Sequence, residues 1–462
     1  MKTNPQKLIS TNPAKNYEVI GEVSISTEEE IKDIVRKAQK AKLSWKETPV
    51  EKRIEYFETL LKIYEKHKDE VAELQSKEMG KPIRESKMDT EFDLAIIASN
   101  IKLAKEILQP KVLDETDTQR NVLYPEPHGV VAVIVPWNYP SSNFFISCVQ
   151  LILAGNTVVF KHSEECPLTG KLLEDIVKKA GFPKGVFNEV YGNGRVGDML
   201  TDQEIDSIHF TGSTKVGRYL YEKAGKKFIH AVLEMGGSSP GIIFKEANLD
   251  LVCGHACTER FTNCGQVCCA LKRLIVHEDI FDEVVERMKI LLEGMKIGDP
   301  LDETTNIGPL VAKRQLDLLI DQVEDAKKKG AKVVIGGEVY KKLKGAYYKP
   351  TILTNLTEDM RVLTEETFGP VLPILSFKTE DEAVELSNKT IYGLSAYVYG
   401  ENIDQLKRVA SKIDAGQVSI NNTSYFSENS PFGGYKLSGI GRNSGKVGFY
   451  EATQKKVVSE PV

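Results

Sequence analysis

Several protein classes are excluded by what this sequence lacks. No run is long and apolar enough for a membrane span. The longest apolar stretch, residues 144–160, is interrupted by Ser147, Gln150 and Asn156 and split by a Gly155–Asn156 turn, so it reads as a buried helix followed by a strand. Blocks of like charge are missing as well. The 61 Lys and Arg are interspersed among 66 Asp and Glu, for a net charge of −5, and without a basic stripe a nucleic-acid partner is not expected. The opening residues, MKTNPQKLIS, have no charged start followed by an apolar core, so no secretion signal is expected. Cysteine is sparse and odd in number: seven, three of them within residues 264–269. That is not a secreted disulfide framework, and a reducing cytoplasm is the expected setting. No internal repeat or low-complexity linker stands out.

What is present is an ordinary globular composition, 41% apolar and 27% charged, in 462 residues. A chain of this length exceeds one core, so two or three domains are expected. Residues 28–106 carry helical spacing. GVVAVIVP (129–136) is a short β-branched run bounded by Gly129 and Pro136, a buried strand. Strands and helices then alternate: NTVVFKH, LTGKLLEDIVKKAG ending at Gly181, GVFNEVYG, DSIHFTGS and TKVGRYLYEKAG ending at Gly225. Such alternation builds βαβ units and a mostly parallel sheet. After Glu234 a second α/β pattern begins, with RLIVHE, AKVVIGG and VLPILSFK as strands. The final TQKKVVSE reads as an isolated strand, to be paired with a distant strand of this chain or, the option given weight here, with another subunit.

The segment FTNCGQVCCA (261–270) allows three readings of Cys264, Cys268 and Cys269. With Cys253, His255 and Cys257 nearby a metal site is conceivable, but the spacing matches no usual zinc pattern and none is expected. Free cysteines are often buried as small apolar residues. The third reading is a nucleophile presented by a Gly–Gln turn, its thiolate a strong attacker. The segment alone leaves the last two open.

Other stretches narrow the choice. PWNYP (136–140), AGNTVVFKHSE (154–164), FTGSTKVG (210–217), LEMGGSSP (233–240), FTNCGQVC (261–268), EETFGP (365–370) and PFGGYKLSGIGR (431–442) occur in this order. Together they resemble the aldehyde dehydrogenase superfamily over nearly the whole chain, and their motifs are similar to those of short bacterial succinate-semialdehyde dehydrogenases. The resemblance implies an α/β fold. It consists of a Rossmann-like NAD(P)-binding domain (1–110 and 128–235), a second α/β catalytic domain (236–435), and a small β oligomerisation extension formed by oligomerisation or bridging segments (111–127 and 436–462). It further implies Cys268 as nucleophile, Asn138 as oxyanion donor together with the Cys268 N–H, and Glu234 as general base. Cys269 is given only a packing role. On this reading the thiolate attacks an aldehyde, fixed N–H donors stabilise the oxyanion, and a carboxylate of raised pKa activates the water that hydrolyses the thioester. Read without the resemblance, Asn138 is a turn residue before Pro140 and Glu234 a surface ion pair.

For the cofactor two glycine signals compete. Gly192, Gly194 and Gly197 spell GxGxxG after a strand, but the acidic residue expected about twenty positions on is not evident. FTGSTKVG offers a helix N-terminus to a pyrophosphate at Ser213, which is otherwise a helix cap. By resemblance Lys161 and Glu164 bind the adenosine ribose, Glu366 and Phe368 hold the nicotinamide ribose and ring, and Trp137 joins them. A carboxylate at Glu164 would repel a 2′-phosphate, so NAD is expected ahead of NADP. His162 and Ser238 stand where many members carry proline and lysine, as in the semialdehyde branch. The positions where that branch places substrate-gripping arginines are Ile146 and Thr262, which cannot pair a carboxylate. Phe144, Phe145, Tyr425 and Phe426 are candidates for an apolar substrate mouth or for core, and an uncharged aldehyde is the expected substrate. A CoA-acylating relative would be expected to lack Glu234, and a non-enzymatic descendant would be expected to have lost one of Cys268, Glu234 or Asn138. A homodimer or homotetramer is expected.

Overall fold

The structure, a computed structural model, describes residues 6–427 and 429–462. The helical spacing of residues 28–106 resolves into three helices, Glu28–Glu47, Val50–Met79 and Ile83–Ile107. The first begins where Thr27 and Glu30 form a reciprocal capping box, with three acids in its first turn. No helix among the described residues is long and apolar enough to cross a membrane.

Two sheets organise the rest. The first has the order Gly439–Ile440, His230–Glu234, Ser207–Thr211, Val130–Ile134, Thr157–Lys161, Phe187–Glu189. All its pairings are parallel except the one between Gly439–Ile440 and His230–Glu234. Starting at Val130–Ile134, the chain builds outward first on one side and then on the other. The strand order therefore reverses between Val130–Ile134 and Ser207–Thr211, where open α/β sheets bind ligands at their carboxyl edge. The motifs PWNYP, KHSE, TGST and LEMGG all follow or end strands of this sheet at that edge.

The second sheet runs Lys332–Ile335, Thr351–Thr354, Val371–Phe377, Leu271–His277, Ser239–Ile243, Ser395–Tyr399, Gln417–Ile420, and is parallel from its second strand onward. Here the cysteine segment and EETFGP precede their strands, at the amino edge. The chain leaves one sheet at Glu234 and enters the other at Ser239, so the carboxyl edge of the first meets the amino edge of the second. Separate apolar clusters cover both sheets.

The structure supplies one of the two partners expected for the last strand and moves one helix end. The last strand, Thr453–Pro461, pairs along its length with Gln119–Pro127 of the same chain, giving a three-stranded sheet with Lys111–Glu115. The partner is intramolecular because the helix Gly445–Glu451 turns the chain back alongside that hairpin. Its second edge carries no strand among the described residues. Within the segment 436–462, Gly439–Ile440 joins the first sheet beside Glu234. The helix expected to stop at Gly225 continues to Lys227, closed by Phe228 in the left-handed conformation with its ring exposed.

Candidate active site

The cysteine segment is a loop in an uncommon conformation. After the helix Leu249–Phe261, three successive residues have positive φ: Asn263 (53°), Cys264 (55°) and Gly265 (73°). Left-handed backbone costs a non-glycine residue about 1–2 kcal/mol, so the surroundings must hold it. Glu85 accepts the Asn263 backbone N–H at 2.7 Å. The Asn263 side-chain amide donates to Asn138 O at 2.9 Å, and Gln266 Nε2 donates to Asn263 O at 3.1 Å. A side chain at position 265 would lie 2.4 Å from Gly369 O, so only glycine fits. Beneath the loop the buried Arg260 guanidinium donates to the carbonyls of Val371 (2.8 Å), Thr367 (3.2 Å), Gly265 (3.4 Å) and Gly369. Burial pulls that guanidinium down to about 9.

This scaffold presents Cys268. Of seven unpaired cysteines it is the one only partly buried, which sets it apart from the other six. Cys269 beside it, by hydrogen bonding, and then burial push the Cys268 thiol well up, while the Lys272 ammonium opposes them. Lys272 Nζ donates to Gly237 O at 2.9 Å and Cys268 O at 3.2 Å and forms an ion pair with Glu366. Glu366 also accepts the Gly237 N–H at 3.1 Å. One buried ammonium thereby ties LEMGG, the cysteine loop and EETFGP together. A Cβ at Gly236 would stand 2.0 Å from Glu366 Oε2, which explains the glycine there. Ser438, from the last motif, accepts Met235 N on its carbonyl at 2.8 Å and donates its hydroxyl to Gly236 O at 2.6 Å.

Asn138 lies against the same loop. Its Nδ2 donates to Gln266 O at 3.1 Å and its Oδ1 accepts from Asn143 at 3.3 Å, so one amide hydrogen stays uncommitted. Glu234 is buried, and neither carboxylate oxygen has a hydrogen-bond partner among the described residues. Burial first, and the Cys268 sulfur second, push its carboxyl well above the usual range, against Arg442. Buried polar atoms ordinarily find partners, so a bare carboxylate beside a thiol marks a place for solvent or reactant.

Trp137, Lys161, Glu164 and Ser213 end or follow strands at the carboxyl edge of the first sheet, while Glu366 and Phe368 stand before Val371–Phe377 of the second. Lys161 is buried, donates to His162 O at 3.1 Å and lies 3.8 Å from the half-exposed Glu164. Ser213 is exposed and caps the helix Thr214–Lys227 through Val216 N at 3.5 Å. Trp137 and Phe368 meet edge to face at 5.5 Å, and Lys272 Nζ sits 5.0 Å from the Phe368 ring. The GxGxxG stretch forms a helix start at Gly194 capped by Asn193.

Some candidates are displaced. Phe144 and Phe145 are core: Phe144 packs on Phe160 and Phe187, Phe145 on Tyr64, because their helix turns that face inward. Ile146 borders a water-sized cavity with Ser147, His209 and Asn443. Thr262 bonds the carbonyl of Thr258. Tyr425 adjoins Cys269, and half-exposed Phe426 meets Phe92 and Phe432. Cys253 and Cys257 are buried thiols, and no group of three or more metal-ligating side chains occurs among the described residues. Lys272, Arg260, Glu85 and Ser438 went unnoticed in the sequence; a Lys–Arg pair inside the apolar run ALKRLIVH was the available signal.

Two α/β units closing on a partly buried thiol and an unpartnered buried carboxylate define an enzyme built for covalent cysteine catalysis beside a nucleotide edge. The aldehyde dehydrogenase family model matches residues 1–458. An aldehyde dehydrogenase of Davidiella tassiana is 37% identical over 452 residues, 97% of this chain and 90% of the relative. The succinate-semialdehyde dehydrogenase (NADP+) of Deinococcus radiodurans is 36% identical over 432 residues, 93% and 90% of the two chains. A solved structure of betaine aldehyde dehydrogenase from Staphylococcus aureus in complex with NAD+ superimposes with a TM-score of 0.95 at 32% identity, covering 98% of this chain and 91% of that one. The chain belongs to the aldehyde dehydrogenase family.

Proposed function

We propose that the protein oxidises an aldehyde to a carboxylate with NAD(P)+, through a thioester on Cys268 that Glu234-activated water hydrolyses. One observation supports the reading: the one cysteine that is not fully buried acts electrostatically on Glu234, a buried carboxylate whose oxygens make no direct hydrogen bond of good geometry among the described residues. The Cys268 thiolate forms a bond to the aldehyde carbon, and the carbonyl electron pair moves to oxygen. Asn138, with its spare amide hydrogen, and the Cys268 N–H are the donors for that charge. When bound, NAD(P)+ supplies the two-electron acceptor that turns the adduct into a thioester. Glu234 then takes a proton from water as the water oxygen attacks the thioester carbon and the Cys268 sulfur departs.

The residues present fit the cofactor. The free N–H groups at the start of the helix Thr214–Lys227 suit a pyrophosphate, with Ser213 at its cap. Lys161 keeps donors to spare and Glu164 presents an acceptor for ribose hydroxyls. A carboxylate there disfavours a 2′-phosphate, so NAD+ is preferred over NADP+. Glu366 and Phe368 would hold the nicotinamide ribose and ring, and Trp137 backs them. We assign residues 1–110 and 128–235 to nucleotide binding and 236–435 to catalysis. The free edge of Thr453–Pro461 supports pairing with a second subunit, and seven unpaired cysteines support a reducing, cytoplasmic setting.

The substrate is proposed to be an uncharged aldehyde, since neither Ile146 nor Thr262 can grip a carboxylate. The semialdehyde relatives favour the second reading, succinate semialdehyde. Product analysis with and without CoA tests the chemistry. Free carboxylic acid, formed equally in both, is expected, and Cys268→Ser should lose at least a thousandfold in kcat while still binding NAD+. Acyl-CoA as product, or a Cys268→Ser enzyme with most of its activity, would overturn it.

A further inference from the structure

A second titratable pair lies at the carboxyl edge of the first sheet, in residues that the reaction proposed above does not use. His162 Nδ1 stands 2.6 Å from Glu189 Oε1, and the two side chains are 1% and 0% exposed. They come from neighbouring parallel strands, His162 just after Thr157–Lys161 and Glu189 at the end of Phe187–Glu189. Phe160 and Phe144 flank the imidazole, the first edge to face at 4.6 Å and the second stacked at 6.1 Å. Gly170 leaves room for the pair, since a Cβ there would stand 2.7 Å from His162 Nδ1 and 2.9 Å from Glu189 Oε1.

Stability alone does not account for this bond. Taking two ionisable groups out of water is expensive, and apolar side chains of similar volume often serve a core as well or better. Further bonds do not offset the expense. His162 Nε2 and Glu189 Oε2 make no direct hydrogen bond of good geometry among the described residues. What the bond fixes is position. His162 opens the turn 162–166, within which Ser163 O accepts the Cys166 N–H at 3.2 Å. Lys161 Nζ donates to the His162 carbonyl at 3.1 Å and lies 3.8 Å from Glu164 Oε2. The imidazole points into the core, whereas the Glu164 side chain, two residues on, is 39% exposed. An imidazole held from below therefore sets where both groups assigned to the adenosine ribose stand.

We propose that His162 and Glu189 are positioning residues for the cofactor. Their hydrogen bond fixes the turn after Thr157–Lys161 so that Lys161 and Glu164 meet the adenosine ribose in one arrangement. Neither residue touches the cofactor itself; each acts through the turn. The inference rests on the cofactor assignment proposed above and is independent of Cys268 and of the substrate.

ADP-ribose carries the adenosine ribose and the pyrophosphate but no nicotinamide, so its binding isolates this end of the site. Isothermal titration calorimetry gives its Kd and that of NAD+. Glu189→Leu and His162→Phe are each expected to weaken both ligands by the same factor, about tenfold. Each should raise KM for NAD+ without raising KM for the aldehyde. In Glu189→Gln the amide oxygen still accepts from the His162 Nδ1–H, and binding should stay within about threefold of the unaltered protein. Because the two side chains act as one unit, the double variant His162→Phe with Glu189→Leu should bind no more weakly than either single one. That double variant leaves no unpaired buried charge, and it decides the matter if a single variant fails to fold. A folded Glu189→Leu or double variant that binds ADP-ribose as tightly as the unaltered protein would overturn the proposal. So would Glu189→Gln binding as weakly as Glu189→Leu, losses that multiply, or KM for the aldehyde rising in step with KM for NAD+. An unaltered protein that binds neither ADP-ribose nor NAD+ would instead refute the cofactor assignment.

Discussion

Lys272 donates a hydrogen bond to the backbone carbonyl of Cys268 across 3.2 Å, from a side chain almost wholly removed from solvent. Its ion pair with Glu366 and its bond to Gly237 O make it the link among three motifs far apart in the chain. Removing one partner of a buried pair leaves the other charge uncompensated, at about 3–5 kcal/mol, whereas removing both is far milder. Lys272→Met is therefore expected to destabilise by several kcal/mol and to cut kcat/KM by roughly a hundredfold as the loop loses its place. Lys272→Met with Glu366→Gln should unfold at higher denaturant than Lys272→Met alone. Equal midpoints for the two would show that the ion pair is not what holds the loop.

Glu234 predicts where turnover stalls. With the carboxylate replaced by amide, acylation of Cys268 can proceed but water is not activated. Glu234→Gln should release about one equivalent of reduced cofactor per site and then slow by two orders of magnitude or more. In the unaltered enzyme, burial and the neighbouring sulfur raise the Glu234 carboxyl. Its base form is thus lost well above pH 4.5 as pH falls, and the acid limb of kcat should lie there. Stopped-flow fluorescence of the reduced cofactor reads both. A full steady-state rate in Glu234→Gln would remove the residue from the reaction.

The parts of this arrangement that were legible in the sequence sit at strand ends. PWNYP, LEMGG and FTNCGQVC each join a strand or helix to a turn, and a turn that must expose a side chain leaves its Gly, Pro and Asn on view. For Phe144 and Phe145 the sequence left mouth and core open, because helical spacing shows that a face is apolar without showing what it faces; the structure makes them core. Arg260 and Lys272 were silent for a related reason. Arg260 follows Glu259 near a helix end and Lys272 stands beside Arg273, and their acceptors include carbonyls up to 111 residues away, which no local pattern displays. Tyr397 and Cys269 meet across 128 positions. The final strand revealed its type but not its partner, since an isolated β pattern carries no register.

Buried carboxyls on the helix Ile83–Ile107 predict a dependence of stability on pH. Burial raises Glu85 and Asp93 to about 7 each, against hydrogen bonds from Asn263 to the first and from Ser142 and Tyr64 to the second. Both keep their protons in the fold at pH values where the unfolded chain has lost them. The folded state therefore binds more protons between about pH 4 and 7, and stability falls as pH rises through that interval and stays lower above it. For Asp93, from 3.8 to about 7, the loss is roughly 4 kcal/mol at about 1.4 kcal/mol per pH unit. Asp93→Asn keeps an acceptor for Tyr64 without the titration. Denaturant unfolding at pH 5 and pH 8 should differ less in that variant than in the unaltered protein. An equal difference in both would place the dependence elsewhere.

On the proposed reading, substrate choice turns on charge at positions 146 and 262. A carboxylate carried into a partly desolvated site needs a cation to compensate it, and Arg fits best because its fork bonds both oxygens. Ile146 offers a hydrocarbon and Thr262 a hydroxyl already given to Thr258 O at 2.8 Å. Phe426, Phe92 and Phe432 form an aromatic cluster, with Tyr425 against Phe426 at 4.8 Å and beside Cys269. Apolar area there stabilises an uncharged chain at about 25 cal/mol per Å² buried and does nothing for a carboxylate. An uncharged aldehyde of the same length should accordingly exceed succinate semialdehyde in kcat/KM by tenfold or more. Thr262→Arg should narrow that ratio through KM for the semialdehyde, leaving kcat for the uncharged substrate within a few fold. Steady-state kinetics on the two aldehydes decide it, and a large preference of the unaltered enzyme for succinate semialdehyde would mean that a cation elsewhere in the crevice receives the carboxylate.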